Sequence, residues 1–272
     1  MPSSPIPMMD SQRAAVQLAA SDMRVLILGG TTEASDLARL LAGDARFDAT
    51  LSLAGRTSQP RPQPIATRRG GFGGVDGLMR FLGEQKIAAV VDATHPYAAR
   101  MSANAVAACA GAGIPLASLV RSAWTREAGD AWQEAATTEA AVDLLGAAPR
   151  RVFLSLGRQD LHLFARAPQH HYIARLIEPP QQTTLPPDLM LIRQRGPFDR
   201  DAEEQRLRDE KIDLVVSKNG GGDATYAKIA AARALGLPVI MIARPDKPSA
   251  HVVASAAQAV AWLGHLASLR GV

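Results

Sequence analysis

The sequence predicts an α/β protein of two doubly wound domains, each with a mainly parallel sheet, and a ligand cleft between them. Three observations carry this prediction. The chain has 272 residues, more than one ordinary domain needs. Hydrophobic residues make up 47% of it and aromatics only 4%, so the core must be Ala, Val, Leu and Ile, which suit helices covering a parallel sheet. Short apolar runs also alternate with helical patterns along the whole length.

From Met23, RVLIL (24–28) reads as a buried strand and 32–42 as a helix. DATLSL (48–53) is the next strand, followed by a Pro/Arg/Gly-rich loop and a helix near 76–84. AAVVDAT (88–94), the helix AARMSANAVAACAGAG and the strand IPLASLV (114–120) complete a first half. After RSAWTREAGDAW (121–132) the alternation restarts with a helix at 137–146 and the strands RVFLSLG (151–157), HYIARLI (171–177) and LMLIRQR (189–195). The prolines of EPPQQTTLPPD, between the last two, forbid regular structure. A charged helix (199–210), strand DLVVSKNG (213–220), helix 224–235 and strand PVIMIAR (238–244) follow. A final helix, 256–269, can pack on either half. The expected division is a disordered extension over 1–22, a first domain over 23–125 and a second over 126–272 that completes the cleft. The extension can equally be a start-site artefact, because Met23 stands immediately before the first strand.

Composition excludes several classes. Cys109, the single cysteine, cannot form an internal disulfide or a multi-Cys metal site, and reads as a small buried hydrophobe in a reducing, cytoplasmic setting. No metal is expected. No apolar run approaches the roughly 18 to 20 residues that span a bilayer, and the amino terminus lacks a signal-peptide pattern, so no membrane partner is expected. A net charge of +4 permits an acidic ligand. The arginines are dispersed, with no Lys/Arg tract interleaved with aromatics, so nucleic acid is not expected either.

The chemistry-bearing motifs sit at strand ends. In GGTTEA, Gly29 and Gly30 end a strand just before a helix, where backbone N–H groups and the helix dipole favour a phosphate. Thr31 and Thr32 can cap that helix, and Ala34 takes the third small position of a Rossmann-like dinucleotide turn. The match is imperfect, since the glycines are adjacent; the alternative is a tight turn without ligand. At the end of the second strand, SLAGRTS has no acid for a ribose 2′-OH. Arg56, Thr57 and Ser58 offer a cation and hydroxyls to a 2′-phosphate, which predicts NADPH over NADH, unless Arg56 is only a solvated loop residue. In RRGGFGG, Arg68 and Arg69 precede glycines around Phe72, a loop that can wrap a ligand or merely connect elements. DATHPYA brings Asp92, Thr94, His95 and Tyr97 to a strand end; the first two suit capping, the last two substrate contact. SKNGGGDAT sets Lys218 and Asn219 beside Gly220, Gly221 and Gly222, to hold phosphate or carboxylate or, with Asp223, to cap a helix. Arg244 and Pro245 close the last strand.

GGTTEA (29–34), AGR (54–56), RGGFGG (69–74), DATHPYA, SKNGGG (217–222) and the terminal Arg-Pro together resemble the precorrin-6A reductase family of cobalamin biosynthesis, over almost all the chain after Met23. The resemblance implies a two-domain enzyme using NADPH to reduce one double bond of precorrin-6A, a tetrapyrrole rich in carboxylates, to precorrin-6B. Gly29, Gly30, Thr31 and Thr32 are then expected at the cofactor pyrophosphate, with Arg56 and Thr57 at the 2′-phosphate. His95, Tyr97 and Lys218 are expected as catalytic groups, with the proton donor open among them and a bound water. Arg68, Arg69, Phe72, Asn219, Gly220, Gly221 and Arg244 are expected at the substrate, and other corrin-pathway enzymes as transient partners. Rival readings are a cobalt-precorrin-6A reductase, a non-catalytic NADPH-binding sensor and a nucleotide-sugar transferase. A short-chain dehydrogenase is disfavoured, because Tyr97 is followed four positions later by Met101 and Tyr226 by Ala230, not by lysine.

Overall fold

The computed structural model describes residues 22–55, 59–181 and 184–271. Most of the expected extension, and the expected cofactor contacts Arg56 and Thr57, lie outside these residues.

The first half alternates β1 (Met23–Leu28), α1 (Thr32–Leu41), β2 (Phe47–Leu53), β3 (Ala66–Arg69), α2 (Gly74–Glu84), β4 (Ala89–Asp92), α3 (Ala99–Ala112) and β5 (Leu116–Leu119). The second runs β6 (Trp132–Ala135), α4 (Thr138–Asp143), β7 (Arg151–Ser155), a 3-10 segment (Arg158–Arg166), β8 (His171–Leu176), β9 (Leu189–Arg193), α5 (Arg200–Asp209), β10 (Leu214–Lys218), α6 (Ala227–Ala234) and β11 (Val239–Ile242). β12 (His251–Val253) and α7 (Ala256–Arg270) end the chain. Two six-stranded sheets result, ordered β3-β2-β1-β4-β5-β12 and β9-β8-β7-β10-β11-β6, and every pairing in both is parallel.

Parallel strands are covered on both faces, which is why β1, β4, β10 and β11 are near-continuous apolar runs. In the first half, α1 and α7 pack on one face, and α2 and α3 on the other. α1 buries Ala34, Leu37, Ala38 and Leu41 at helical spacing, and Thr31 caps it by accepting a hydrogen bond from the Ala34 N–H (3.1 Å). Cys109, 2% exposed in α3, has its thiol pushed up to about 12 by burial and is inert.

The end of the chain departs from the expected division. β12 pairs with β5, and α7 packs against α1, so residues 251–270 complete the first half, not the second. β6, in turn, stands at the edge of the second sheet beside β11. Each sheet thus takes its outermost strand from beyond a connection that crosses between the halves, 120–131 in one direction and 243–250 in the other. β3 differs too, forming within a stretch that reads as loop: its residues ATRR are mostly exposed at a sheet edge and carry no apolar alternation.

Candidate active site

The strand order reverses between β1 and β4 in one sheet and between β7 and β10 in the other, and open α/β sheets bind ligands at such points, beyond the carboxyl ends of the strands. Here the two sets of strand ends meet. Asn219, after β10, donates its backbone N–H to the Tyr97 hydroxyl after β4 (2.7 Å). Arg195, after β9, donates to the Gln59 carbonyl beyond β2 (2.9 Å), and Arg61 donates to the Gly196 carbonyl. A cleft lies between, closed at both sides by contacts across the halves.

On the first half, the glycine turn has the form of a phosphate seat. A Cβ on Gly29 would stand 2.4 Å from Leu51 Cδ1, so the chain passes tightly over β2. Gly30 takes φ +115, a backbone region closed to ordinary side chains, and the space above its α-carbon is open. The N–H groups of the first turn of α1 have no intrahelical acceptor and emerge there. Thr31 is held by donating its hydroxyl to the Ala93 carbonyl (2.8 Å). Glu33, whose charge would oppose an anion, is neutralised by Arg121 (2.6 Å). These features fit a dinucleotide pyrophosphate. A cavity of about 180 Å³ opens beside the turn, lined by Thr31, Thr94, Arg121 and Lys247 among others.

Beyond β4, the buried Asp92 carboxylate accepts from the Thr94 N–H (3.0 Å), the Thr94 hydroxyl (2.6 Å) and the Ser102 hydroxyl (2.5 Å), and pairs with Lys247 at 3.3 Å. That network shapes the turn presenting His95 and Tyr97. His95 Nδ1 accepts from the Tyr97 N–H (3.3 Å), which leaves Nε2 carrying the proton. The ring is open to water on one side yet walled in by both halves; desolvation first, then the cations Arg121, Lys218, Arg244 and Lys247, push its pKa down to about 3. It is a neutral imidazole near pH 7. Tyr97 donates to the Ile242 carbonyl, and burial pushes its pKa up to about 12.

SKNGGG lies directly against this turn, but its polar groups are spent within the protein. Asn219 exchanges two hydrogen bonds with the Trp124 backbone (2.8 and 3.0 Å), and the Trp124 indole donates to the Gly222 carbonyl (2.9 Å). Gly220 and Gly221 are buried beneath the first crossing connection. A Cβ on Gly221 would meet the Ser122 carbonyl oxygen at 2.1 Å, so that glycine serves close chain approach. Arg244, read from sequence as meeting a substrate carboxylate, donates instead to the carbonyls of Asn219 (3.0 Å), Arg121 (2.8 Å), Ser122 (3.0 Å) and Gly220 (3.2 Å). Arg68 likewise braces its own loop: it donates to Ser52 Oγ (2.8 Å) and to the Gly70 and Gly71 carbonyls, and lies 3.9 Å over the Phe72 ring. Phe72 packs edge-on against Phe81 (5.1 Å), while Arg69 is exposed and engaged elsewhere.

Lys218 stands apart from that seam. Its ammonium bonds Asp160 (2.5 Å) in the segment after β7 and lies 4.9 Å from the Tyr97 ring centroid, one-fifth exposed. The sequence reading missed Asp160, Arg121, Glu33 and Lys247 as participants. Glu33 lies inside a quoted motif, and Asp160 follows a buried strand's glycine as the other motifs do; Arg121 and Lys247 sit in connections whose crossing no local pattern announces.

Residues 24–264 match the family described as precorrin-6x reductase CbiJ/CobK. The chain belongs to this family. A precorrin-6x reductase relative, the precorrin-6A reductase of Rhodobacter capsulatus, is 50% identical over 250 residues, covering 92% of this chain and 99% of its own. The cobalt-precorrin-6A reductase of Priestia megaterium is 27% identical, covering 81% and 90%. The solved structure of CobK precorrin-6A reductase superposes with a TM-score of 0.85 at 50% identity, covering 90% of this chain and 97% of its own. The precorrin-6x reductase assignment therefore spans both halves and the cleft between them. Among the described residues, no helix is long and apolar enough to cross a membrane.

Proposed function

We propose that the chain is an NADPH-dependent precorrin-6A reductase of cobalamin biosynthesis, which adds hydride to one double bond of the macrocycle and a proton to the neighbouring carbon, giving precorrin-6B. The observation that carries this reading is the 50% identity to the Rhodobacter capsulatus precorrin-6A reductase across nearly the full length of both chains. The bound nicotinamide supplies the hydride. This chain's residues supply placement, water exclusion and the proton. Gly29 to Thr32 seat the pyrophosphate, and Arg56 and Thr57, beyond a β2 end that bears no acid, receive the 2′-phosphate. The proton is best assigned to Lys218: the Tyr97 O–H is directed at a carbonyl, with its pKa pushed up to about 12, and His95 is a neutral imidazole. Lys218 carries exchangeable protons and is oriented by Asp160.

The test is anaerobic incubation of purified protein with precorrin-6A and NADPH, following nicotinamide absorbance and tetrapyrrole mass. A two-hydrogen gain matched to NADPH loss is expected. No turnover of precorrin-6A, with turnover of its cobalt complex, would shift the reading to the cobalt substrate. For the cofactor, Arg56→Ala should raise the KM for NADPH at least tenfold and leave that for NADH nearly unchanged. Equal weakening of both would remove Arg56 from the 2′-phosphate.

A further inference from the structure

The first crossing connection places a cation between the helix after the glycine turn and the loop that bears Lys218. Arg121 follows β5 at the start of that connection, and its guanidinium is shared between the halves. Nη1 donates to Glu33 Oε2 (2.6 Å) in the first turn of α1, and Nε donates to the Gly220 carbonyl (2.6 Å). A pair serving charge balance alone would turn two nitrogens to the carboxylate, because guanidinium and carboxylate match edge to edge. The Gly220 peptide gripped in this way is itself bonded to Lys218, whose carbonyl accepts from the Gly220 N–H (2.7 Å). Gly222, at φ +70, lets the loop lie close on the pair, since a Cβ there would stand 3.2 Å from Arg121 Cδ and 3.4 Å from Glu33 Oε1. The side chains of Arg121 and Glu33 are only 17% and 23% exposed, so solvent screens them less than a surface pair. Lys247, the cation of the second connection, instead bonds Asp92 and Thr94, two groups of one half.

We propose that Glu33 and Arg121 are a positioning pair, which holds the loop bearing Lys218 at a set distance from the helix that receives the cofactor pyrophosphate, so that hydride and proton reach the macrocycle in one geometry. The assignment rests on the NADPH-dependent reductase reading above, and neither residue exchanges a proton with substrate. The pair also has an electrostatic signature. Glu33 stands in the first turn of α1, where its charge repels the pyrophosphate unless Arg121 compensates it. Removing one partner therefore changes cofactor affinity in the opposite sense to removing the other.

The test compares wild type with Glu33→Ala, Arg121→Ala, the double variant and Glu33→Gln, in turnover of precorrin-6A with NADPH. NADPH affinity is measured separately by nicotinamide fluorescence. Each alanine variant is expected to lower kcat about tenfold with the KM for precorrin-6A within about twofold of wild type, and the double variant to lose no more than either single one. Glu33→Gln keeps an acceptor for Arg121 and is expected to recover most of the lost kcat; it carries the test if Arg121→Ala does not fold. NADPH affinity is expected to fall about fivefold in Arg121→Ala, to hold or rise in Glu33→Ala, and to return toward wild type in the double variant. Unchanged kcat in Glu33→Ala, losses that multiply in the double variant, no recovery with glutamine, or NADPH affinity lost equally in both single variants would each overturn the pair's role. Absence of wild-type turnover would overturn the functional reading itself, and the positioning role with it.

Discussion

Gly30, Asp160 and His95 stand at the cleft, and each makes a test of its own. Gly30 has φ +115 with open space above it, so Gly30→Val both strains the turn, by roughly 1–2 kcal/mol, and puts a side chain where a pyrophosphate would sit. NADPH affinity should fall more than tenfold while the circular dichroism stays native; unchanged affinity would make the turn purely structural. With the proton assigned to Lys218 as proposed, Asp160 acts by holding that ammonium. Asp160→Asn should lower kcat at least tenfold, with a smaller change in KM and a displaced pH profile, and Asp160→Glu should restore part of it. A uniform loss of both parameters, unrelieved by glutamate, would mark Asp160 as structural. His95 loses its proton as pH rises through about 3, so the free enzyme holds it neutral across the working range. The pH profile of kcat/KM should therefore show no break between pH 5 and 8 that His95→Gln removes.

At the scale of elements, the seam between the DATHPYA turn and the SKNGGG loop is built like a protein interior. Tyr97→Phe deletes a donor to the Ile242 carbonyl and an acceptor of the Asn219 N–H, which keep only their bond to each other (3.1 Å). That should cost about 1 kcal/mol, seen as a lower denaturant midpoint, while kcat falls less than threefold. A hundredfold loss of kcat with unchanged stability would return Tyr97 to proton donation. The strands that carry the cleft were legible because they are covered on both faces and so spell continuous apolar runs, as RVLIL and AAVVDAT do. β3, β6 and β12 were not: they have four, four and three residues, stand at sheet edges, and owe their place to a neighbour rather than to a pattern of their own. The site was legible to the same degree. Glycines and polar groups at strand ends mark the cleft, but whether Gly221 meets a ligand or the Ser122 carbonyl depends on a chain crossing about a hundred residues away in sequence.

The whole molecule is two α/β halves joined by a pair of crossing connections, and beneath one of them lies a lysine that makes the joint sensitive to pH. Lys228, 3% exposed on α6, donates to the Thr225 carbonyl (2.7 Å) and lies 4.6 Å from the ring centroid of Trp124, whose backbone and indole bond the 219–222 loop. Desolvation, then the charge of Arg175, lowers its pKa to about 7; the buried Glu203 opposes that shift and Arg121 adds to it. An unfolded chain holds the same lysine near its ordinary value of 10.5. Between about pH 7 and 10.5 this lysine therefore binds more protons in the unfolded state than in the folded one, and its contribution to stability rises with pH. Below pH 7 the folded protein carries the full cost of a buried ammonium. Lys228→Met removes this dependence while keeping the length of the side chain. Urea titrations at pH 7 and 9 should show wild type gaining about 2 kcal/mol relative to Lys228→Met over that interval, with the variant the more stable at pH 7. Parallel profiles would mean that the ammonium is solvated in the folded state. The gain would then have to be absent from the seam as well, because Trp124, which ties the first crossing connection to the SKNGGG loop, is the ring that Lys228 faces.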